Sequence, residues 1–453
     1  MNIMFPRFLE NINRFRLVDA GDTLIAGFSG GKDSVTLLVL LGELQRHLPV
    51  RLLAAYFNHR LRPDAAAEEA WVHRFCQQRG LELQVGSRDV HRFREEERLN
   101  LEHAAAVSRY DFFHRLAAEF PGGAKIVTGH SRSDLAETFL IKLFRGSGLQ
   151  GLSAIYASKN REIIRPLLIF SQEEIKNFLT RNHIAYYSDP SNRDLGFLRN
   201  RIRLSLLPEI KKIEPELEER ILKTVLLIQE EYAYFREEAE RFLAKRLLLN
   251  AILPLAELHR LPLAMQRHVV REYLRRLKGN LLNIDLEHID GCLDRDDTAR
   301  GLSLPGITLR REKGFLFPVG VVVPSYRLRI YGPGKHRLAE IGKEIIIKEA
   351  AVWRQPAAPG GNRQAMVPTS TLTFPLTVRP SRKKDHYQKI NSPYRQSVFE
   401  MIRSSGTPAA LRNLCPVLEN GDGRIIWVWG SPLSEEFRWQ TGQPGPFFRI
   451  SLK

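Results

Sequence analysis

The sequence predicts an α/β fold, a parallel doubly wound sheet followed by a helical domain and a small C-terminal α+β domain. Three observations carry that prediction. Short apolar runs alternate with stretches of helical periodicity through about the first two hundred residues. The first run leads through Phe28-Ser29-Gly30-Gly31-Lys32-Asp33-Ser34 into a helix. From about Pro215 to Leu293 the pattern is helical with little Gly, whereas the last eighty residues return to short strands.

The elements follow in order. Thr23 to Gly27 reads as a buried strand, and Val35, Leu37, Leu38, Leu41 and Leu44 recur at helical spacing behind the glycine turn. Leu52 to Phe57 gives a second strand ending at Asn58-His59. A helix from about Ala65 to Arg79 stops at Gly80, and Leu81 to Val85 alternates as a third strand. Asn100 to Glu119 is helical, and Lys125 to Thr128 is a strand ending at Gly129-His130. A helix beginning near Ser133-Asp134 runs to Phe144 and ends at Arg145-Gly146-Ser147-Gly148. Arg161 to Leu168 reads as another strand, and Ser171 with Glu174 caps the next helix. In such a sheet ligands gather at the carboxyl ends of the strands, so Ser29, His59 and His130 can face one crevice.

The glycine turn has its own chemistry. Two adjacent glycines let backbone N–H groups turn inward, and the helix behind them points its positive end at the same place. The loop Ser29, Gly30, Gly31, Lys32, Asp33 and Ser34 therefore suits a phosphate or pyrophosphate, with Asp33 placed to meet a metal-bound phosphate. Its spacing is not that of the Walker loop. Asp134 and Glu137, three apart, fit a helix-start box as well as a catalytic pair. Arg199-Asn200-Arg201-Ile202-Arg203 fits a solvated helix face or a claw for phosphates.

Composition narrows the class. Sixty-eight Lys and Arg against 51 Asp and Glu leave a formal charge of +17, which points to a polyanionic partner, most plausibly nucleic acid. Cys76, Cys292 and Cys415 are odd in number and far apart, forming neither a disulfide framework nor a zinc site, as expected in a reducing cytoplasm. The N-terminus lacks the apolar core of a signal peptide, and the apolar runs fall short of a membrane span. The expected boundaries are a catalytic domain at 1–212, a mainly helical domain at 213–350, a Pro/Gly-rich linker at 351–371 and a small basic domain at 372–453. Arg379, Arg382, Lys383 and Lys384 cluster at the start of that last domain, which fits a module docking onto RNA or a dimerisation or stabilising appendage.

Ser29 to Ser34 resembles the SGGxDS loop of the PP-loop ATP pyrophosphatases, whose fold is Rossmann-like. The order of the later motifs resembles one family within them, the tRNA(Ile)-lysidine synthases. Asn58-His59-Arg60-Leu61-Arg62 is similar to the family's NHGLR, with Arg60 in place of the glycine. Arg109-Tyr110 matches its Arg-Tyr pair, although Ala105 and Ala106 occupy the region of an earlier arginine. Thr128-Gly129-His130 with Asp134, Glu137 and Thr138 resembles TGHxxDDxxET, with Ser133 where the first of two aspartates is usual. Arg145 to Leu149, Arg165 to Leu168, Asp189 with Ser191-Asn192, Arg199 to Arg203 and Pro208 complete the set. The likeness returns at Pro416 to Gly430, while Gln396 to Glu400 replaces a segment where paired lysines are frequent.

The resemblance implies a two-step reaction on the wobble cytidine of an isoleucine tRNA with a CAU anticodon. The C2 carbonyl oxygen is adenylated by ATP with Mg²⁺, and the amine of free L-lysine then displaces AMP. It implies catalytic roles for Asp33, Asp134 and Arg203, lysine contacts by Asp134 and Glu137, and Mg²⁺ at Asp33. Candidate phosphate or tRNA contacts are His59, Arg62, Arg109, Tyr110, Arg145, Arg199 and Arg203. Tyr110 fits a core aromatic better than a platform for an extruded base. The expected protein is cytoplasmic, with no membrane partner and a homodimer left open. Two other readings stand beside it: a PP-loop tRNA thiolase, which would need paired cysteines, and an RNA-binding protein whose loop senses AMP.

Overall fold

The structure is a computed structural model. It describes residues 4–61, 65–187, 196–294, 300–322, 324–350, 364–404, 407–439 and 445–452. The chain divides into two compact units, at Met1–Ala233 and Tyr234–Lys453.

The first unit runs α1 Met4–Phe15, β1 Thr23–Gly27, α2 Lys32–Leu44, β2 Arg51–Asn58, α3 Ala65–Gln78, β3 Glu82–Ser87, α4 Val90–Glu96 and α5 Leu101–Ala118. It continues with β4 Lys125–Val127, α6 Arg132–Phe144, α7 Leu149–Leu152, β5 Ser158–Lys159, β6 Ile163–Ile164 and α8 Gln172–Arg181. Last come α9 Leu198–Arg201, a π-helical turn Ile202–Leu206, α10 Leu207–Ile213 and the start of α11 Leu217–Arg246. The strands lie in the order β3-β2-β1-β4-β6-β5, and every pairing is parallel except β5 with β6.

Alternation along β1 explains the layers. Leu24 and Ala26 point into a core built with α1, α2, α3 and α8, while Ile25 points to the opposite face, onto Phe113 and Leu116 of α5. The chain leaves β1 toward β2 and β3, then returns to lay β4 on the other side of β1. That reversal opens a crevice between the ends of β1 and β4, where the glycine loop and the Thr128-Gly129-His130 turn meet. The expected strand at 161–168 contracts to Ile163–Ile164, because Pro166 has no N–H to give a ladder.

In the second unit, Leu263–Lys278 and Leu286–Leu293 pack with the end of α11 around Tyr273, Leu274 and Cys292. They share that core with a four-stranded sheet formed by Leu253–Pro254, Arg300–Leu304, Ile307–Glu312 and Phe315–Pro318. Beyond it, two four-stranded antiparallel sheets bury one common core that includes Ile330, Ile347, Val367, Leu376, Trp427 and Ile450. This corrects the boundaries expected from sequence. Gly334–Leu338 and Lys343–Ala350 belong with Phe447–Leu452 and Gln364–Pro368, not with the helical domain. The linker at 351–371 narrows accordingly, since Gln364–Pro368 is a paired strand and 351–363 lies outside the described residues. Among the described residues no helix is long and apolar enough to cross a membrane.

Candidate active site

The glycine loop is held open by its own hydroxyls. Ser34 Oγ donates to the Gly31 carbonyl at 2.9 Å and accepts from the Ser29 N–H at 3.2 Å. Gly31 is the N-cap of α2 and makes no side-chain cap, so nothing of its own competes for the first-turn N–H groups that an anion would take. Gly30 has φ +73, and a Cβ there would lie 3.3 Å from Trp71 and from the Tyr187 Cβ. Gly129 serves the same end from β4: its missing Cβ would sit 3.1 Å from the backbone carbon and oxygen of Asp33. Glycine at 129 lets the two turns come that close without the backbone at Asp33 giving way.

α6 starts one residue after an N-cap at Ser131, whose hydroxyl and N–H both bond Asp134 Oδ2, at 2.7 and 2.9 Å. The helix-start box is thus Ser131 with Asp134, and the expected pairing of Asp134 with Glu137 as a box is corrected. The remaining oxygen of Asp134 accepts from Arg199 Nη2 and Arg203 Nη2, each at 3.0 Å. One turn along, Glu137 takes Arg199 Nε at 2.8 Å and Arg203 Nε and Nη2 at 2.5 and 2.9 Å. The i, i+4 spacing of the arginines across α9 and the π-helical turn puts both on the face turned to α6. Arg201 between them is exposed.

Burial decides which of these groups can meet a ligand. The Glu137 side chain is 0 % exposed and both its oxygens are occupied, so its expected contact with lysine is corrected: it holds the two arginines. The Asp134 side chain keeps 12 % and each arginine 32 %. Burial works to raise the Asp134 carboxyl, but Arg199, His130 and the Ser131 bonds outweigh it and hold it below the ordinary range. Asp33 behaves oppositely. Burial first and the Asp134 charge second lift it to about 6, against the pull of Lys32, Gln172 and Arg203.

His130 lies beside the cluster with Nδ1 at 2.9 Å from Thr128 Oγ1. Burial, opposed by Asp134 and reinforced by Arg165, Arg199 and Arg109, drives it down to about 4, so its imidazole is neutral at physiological pH. Arg109 is half-buried next to Tyr110, at 5.8 Å from the ring, and close enough to Arg199 and His130 to act on both electrostatically. Tyr110 itself packs edge-on to Phe113 over the sheet, which is the core-aromatic reading. His59 follows β2 and stands edge-on to Phe57 at 5.0 Å. Arg145 caps the far end of α6 in solvent, roughly 16 Å from Asp134 at 1.5 Å per residue. Arg62, Asp189, Ser191 and Asn192 lie outside the described residues.

Two participants escaped the sequence reading. Gln172, first residue of α8, donates from Nε2 to Asp33 Oδ1 and to Ser131 Oγ, both at 2.9 Å. Ser133 donates to Glu218 of α11, with both carboxylate oxygens at 3.0 Å, and Lys211 reaches the same carboxylate at 2.5 Å. A lone glutamine beside a capping serine carries no local signal.

The arrangement therefore joins an anion-binding loop to a carboxylate and arginine cluster across one crevice. A profile of the PP-loop domain matches residues 4–210, and one of the TilS substrate binding domain matches 253–317. The tRNA(Ile)-lysidine synthase of Dehalococcoides mccartyi is 34% identical over 457 aligned positions, covering 96% of each chain. That of Geobacter sulfurreducens is 30% identical over 93% of this chain and 91% of its own. That of Geobacillus kaustophilus is 28% identical over 94% of each. Likeness at that level along nearly the whole length, with the loop and the paired arginines in place, means that this chain belongs to the tRNA(Ile)-lysidine synthase family.

Proposed function

We propose that the protein uses ATP to join free L-lysine to C2 of the wobble cytidine of an isoleucine tRNA with a CAU anticodon, releasing AMP and pyrophosphate. The observation that carries this reading is the bonded path from Asp33 in the phosphate loop, through Gln172 and Ser131, to Asp134 between its arginines. It links the phosphate loop to Asp134, the carboxylate that we assign to the lysine ammonium and whose side chain, unlike that of Glu137, keeps 12 % exposure.

In the first step the cytidine C2 oxygen attacks the α-phosphorus. Backbone N–H groups of Ser29 to Ser34 and the α2 N-terminus stabilise the charge that builds on the leaving pyrophosphate. Arg199 and Arg203, partly exposed and fixed by Glu137, offer planar forks to phosphate oxygens. Asp33 fits Mg²⁺, which takes one or two carboxylates along with phosphates and water. Among the described residues no group of three or more His, Cys, Asp or Glu side chains forms a complete cage. When bound, the ion would neutralise phosphate charge. In the second step the neutral lysine amine attacks C2, the bond from C2 to the adenylated oxygen breaks and AMP leaves with that oxygen, the amine giving up a proton as the new C–N bond forms. Asp134, held ionised by Arg199 and Ser131, suits the binding of an ammonium and makes a weak base at neutral pH. His130, neutral, is a hydrogen-bonding group there and not a counter-charge.

The thiolase reading finds no support in the thiols. Burial pushes Cys76 up to about 11 and Cys292 up to about 12, the condition of inert structural cysteines. A tRNA substrate places the protein in the cytoplasm.

The test is ATP-dependent incorporation of labelled lysine into an unmodified CAU transcript. We expect labelling by the intact protein and a loss of at least 100-fold in Asp33→Ala, in line with removing one preorganised charge-stabilising group. Pyrophosphate release with some other RNA, and no lysine labelling, would overturn the reading.

A further inference from the structure

Gln172 belongs to neither half of the reaction, yet one nitrogen of it touches both. Its orientation follows from its neighbours. Ser131 Oγ spends its only proton on Asp134 Oδ2 at 2.7 Å, so the atom 2.9 Å away on Gln172 has to be a donor. Asp33 Oδ1, an acceptor when ionised, makes the same demand at 2.9 Å. Both demands select the amide nitrogen. At the other end, Gln172 Oε1 is buried and meets no hydrogen-bond donor among the described residues. The backbone N–H of Gln172 adds a longer bond to Ser133 Oγ at 3.4 Å.

We propose that Gln172 is a positioning residue which fixes the spacing between the phosphate-loop carboxylate Asp33 and the helix start that carries Asp134. The inference rests on the ligase reading above and deepens it. The amide is suited to this task because it donates twice and carries no charge. A carboxylate at the same place would donate to neither partner and would set a third negative charge beside Asp33 and Asp134.

Two substitutions of similar size separate positioning from helix architecture. Gln172 stands at the first position of α8, where the helix dipole favours an acidic residue. A purely structural role therefore predicts that Gln172→Glu is neutral or stabilising and that Gln172→Met is nearly silent. The positioning role predicts the reverse order in activity. We expect kcat to fall roughly tenfold in Gln172→Met and roughly 100-fold in Gln172→Glu, as a misplacement near 1 Å would give. KM for tRNA should stay close to wild type in both, and the melting temperature should stay close to wild type in the uncharged Gln172→Met.

Pyrophosphate release without lysine and lysine labelling are to be measured separately on the full chain, and both should fall. A Gln172→Glu enzyme within threefold of wild type overturns the proposal, as does a loss in both variants that tracks a lower melting temperature. Failure of the wild type to label tRNA at all would sink the ligase reading instead. The same variants compared by RNA-stimulated pyrophosphate release would still decide for or against Gln172.

Discussion

Asp33 is kept at about 6 because burial and the Asp134 charge outweigh Lys32, Gln172 and Arg203, and that has a consequence for stability. An acid whose folded pKa exceeds its unfolded value, roughly 3.9, binds its proton more tightly when folded. The cost of ionising it is therefore absent below about pH 4, grows as pH rises toward 6, and is full above that. We expect Asp33→Asn to be inactive but more stable than wild type by about 1–3 kcal/mol at pH 7.5 in the absence of ligands. By pH 4.5 most of that difference should be gone. Urea unfolding at the two pH values checks it, and an equal difference at both would refute the account. The position of Asp33 was legible in the sequence because a glycine turn between strand and helix is a local signal. Its raised pKa was not, since it comes from burial in the folded chain and from Asp134, 101 residues away. Arg60 shows the same division. It stands where the NHGLR pattern has glycine, and the backbone keeps the glycine conformation at φ +53, with the guanidinium bonded to Ser87 Oγ at 3.0 Å.

At the scale of elements, the start of α6 is gripped from two sides. Ser131 and Asp134 cap it from within, and Glu218 on α11 grips it through Ser133. This gives a physical meaning to the serine at 133, where an aspartate is usual. Ser133 and Glu218 are both buried, so an aspartate there would bring a second carboxylate within about 3 Å of the first, with Lys211 alone to share. Ser133→Asp should cost about 2–4 kcal/mol, the penalty of an uncompensated buried charge, and Glu218→Gln added to it should recover most of that loss. Equilibrium unfolding of the single and double variants measures both. If Ser133→Asp alone unfolds like wild type, the grip is not real. Helix periodicity could find α6, and its strand and helix neighbours were equally legible. It could not find Glu218, because periodicity reports which face of a helix is buried and not what lies opposite. The arginines at 199 and 203 were visible within the basic run 199–203, but their common turn toward Asp134 and Glu137 was not, because those carboxylates lie more than sixty residues earlier.

The whole molecule divides in the same way. The α/β unit was readable because each strand and helix is set by contiguous residues. The C-terminal sheets were misassigned by some twenty residues, because Lys343–Ala350 finds its partner in Phe447–Leu452, about a hundred positions on. Charge misled once for the same cause. Arg379 looked like part of a basic patch but is buried, with both ends of its guanidinium on Asp385 at 2.7 and 3.1 Å and its Nε on Glu419. Arg382, Lys383 and Lys384 are exposed and remain available to RNA. A chain carrying +17 should bind tRNA largely by releasing counterions. If about four or five phosphates are neutralised, affinity should drop roughly 100-fold between 50 and 200 mM salt. Replacing Arg382, Lys383 and Lys384 with alanine should then weaken binding and flatten the plot of log affinity against log salt by about 3, since each lost phosphate contact removes nearly one unit of slope. Filter binding across that salt range with the triple variant gives the slope directly. A slope equal to that of wild type would confine tRNA recognition to other surfaces and leave these three residues to solvent.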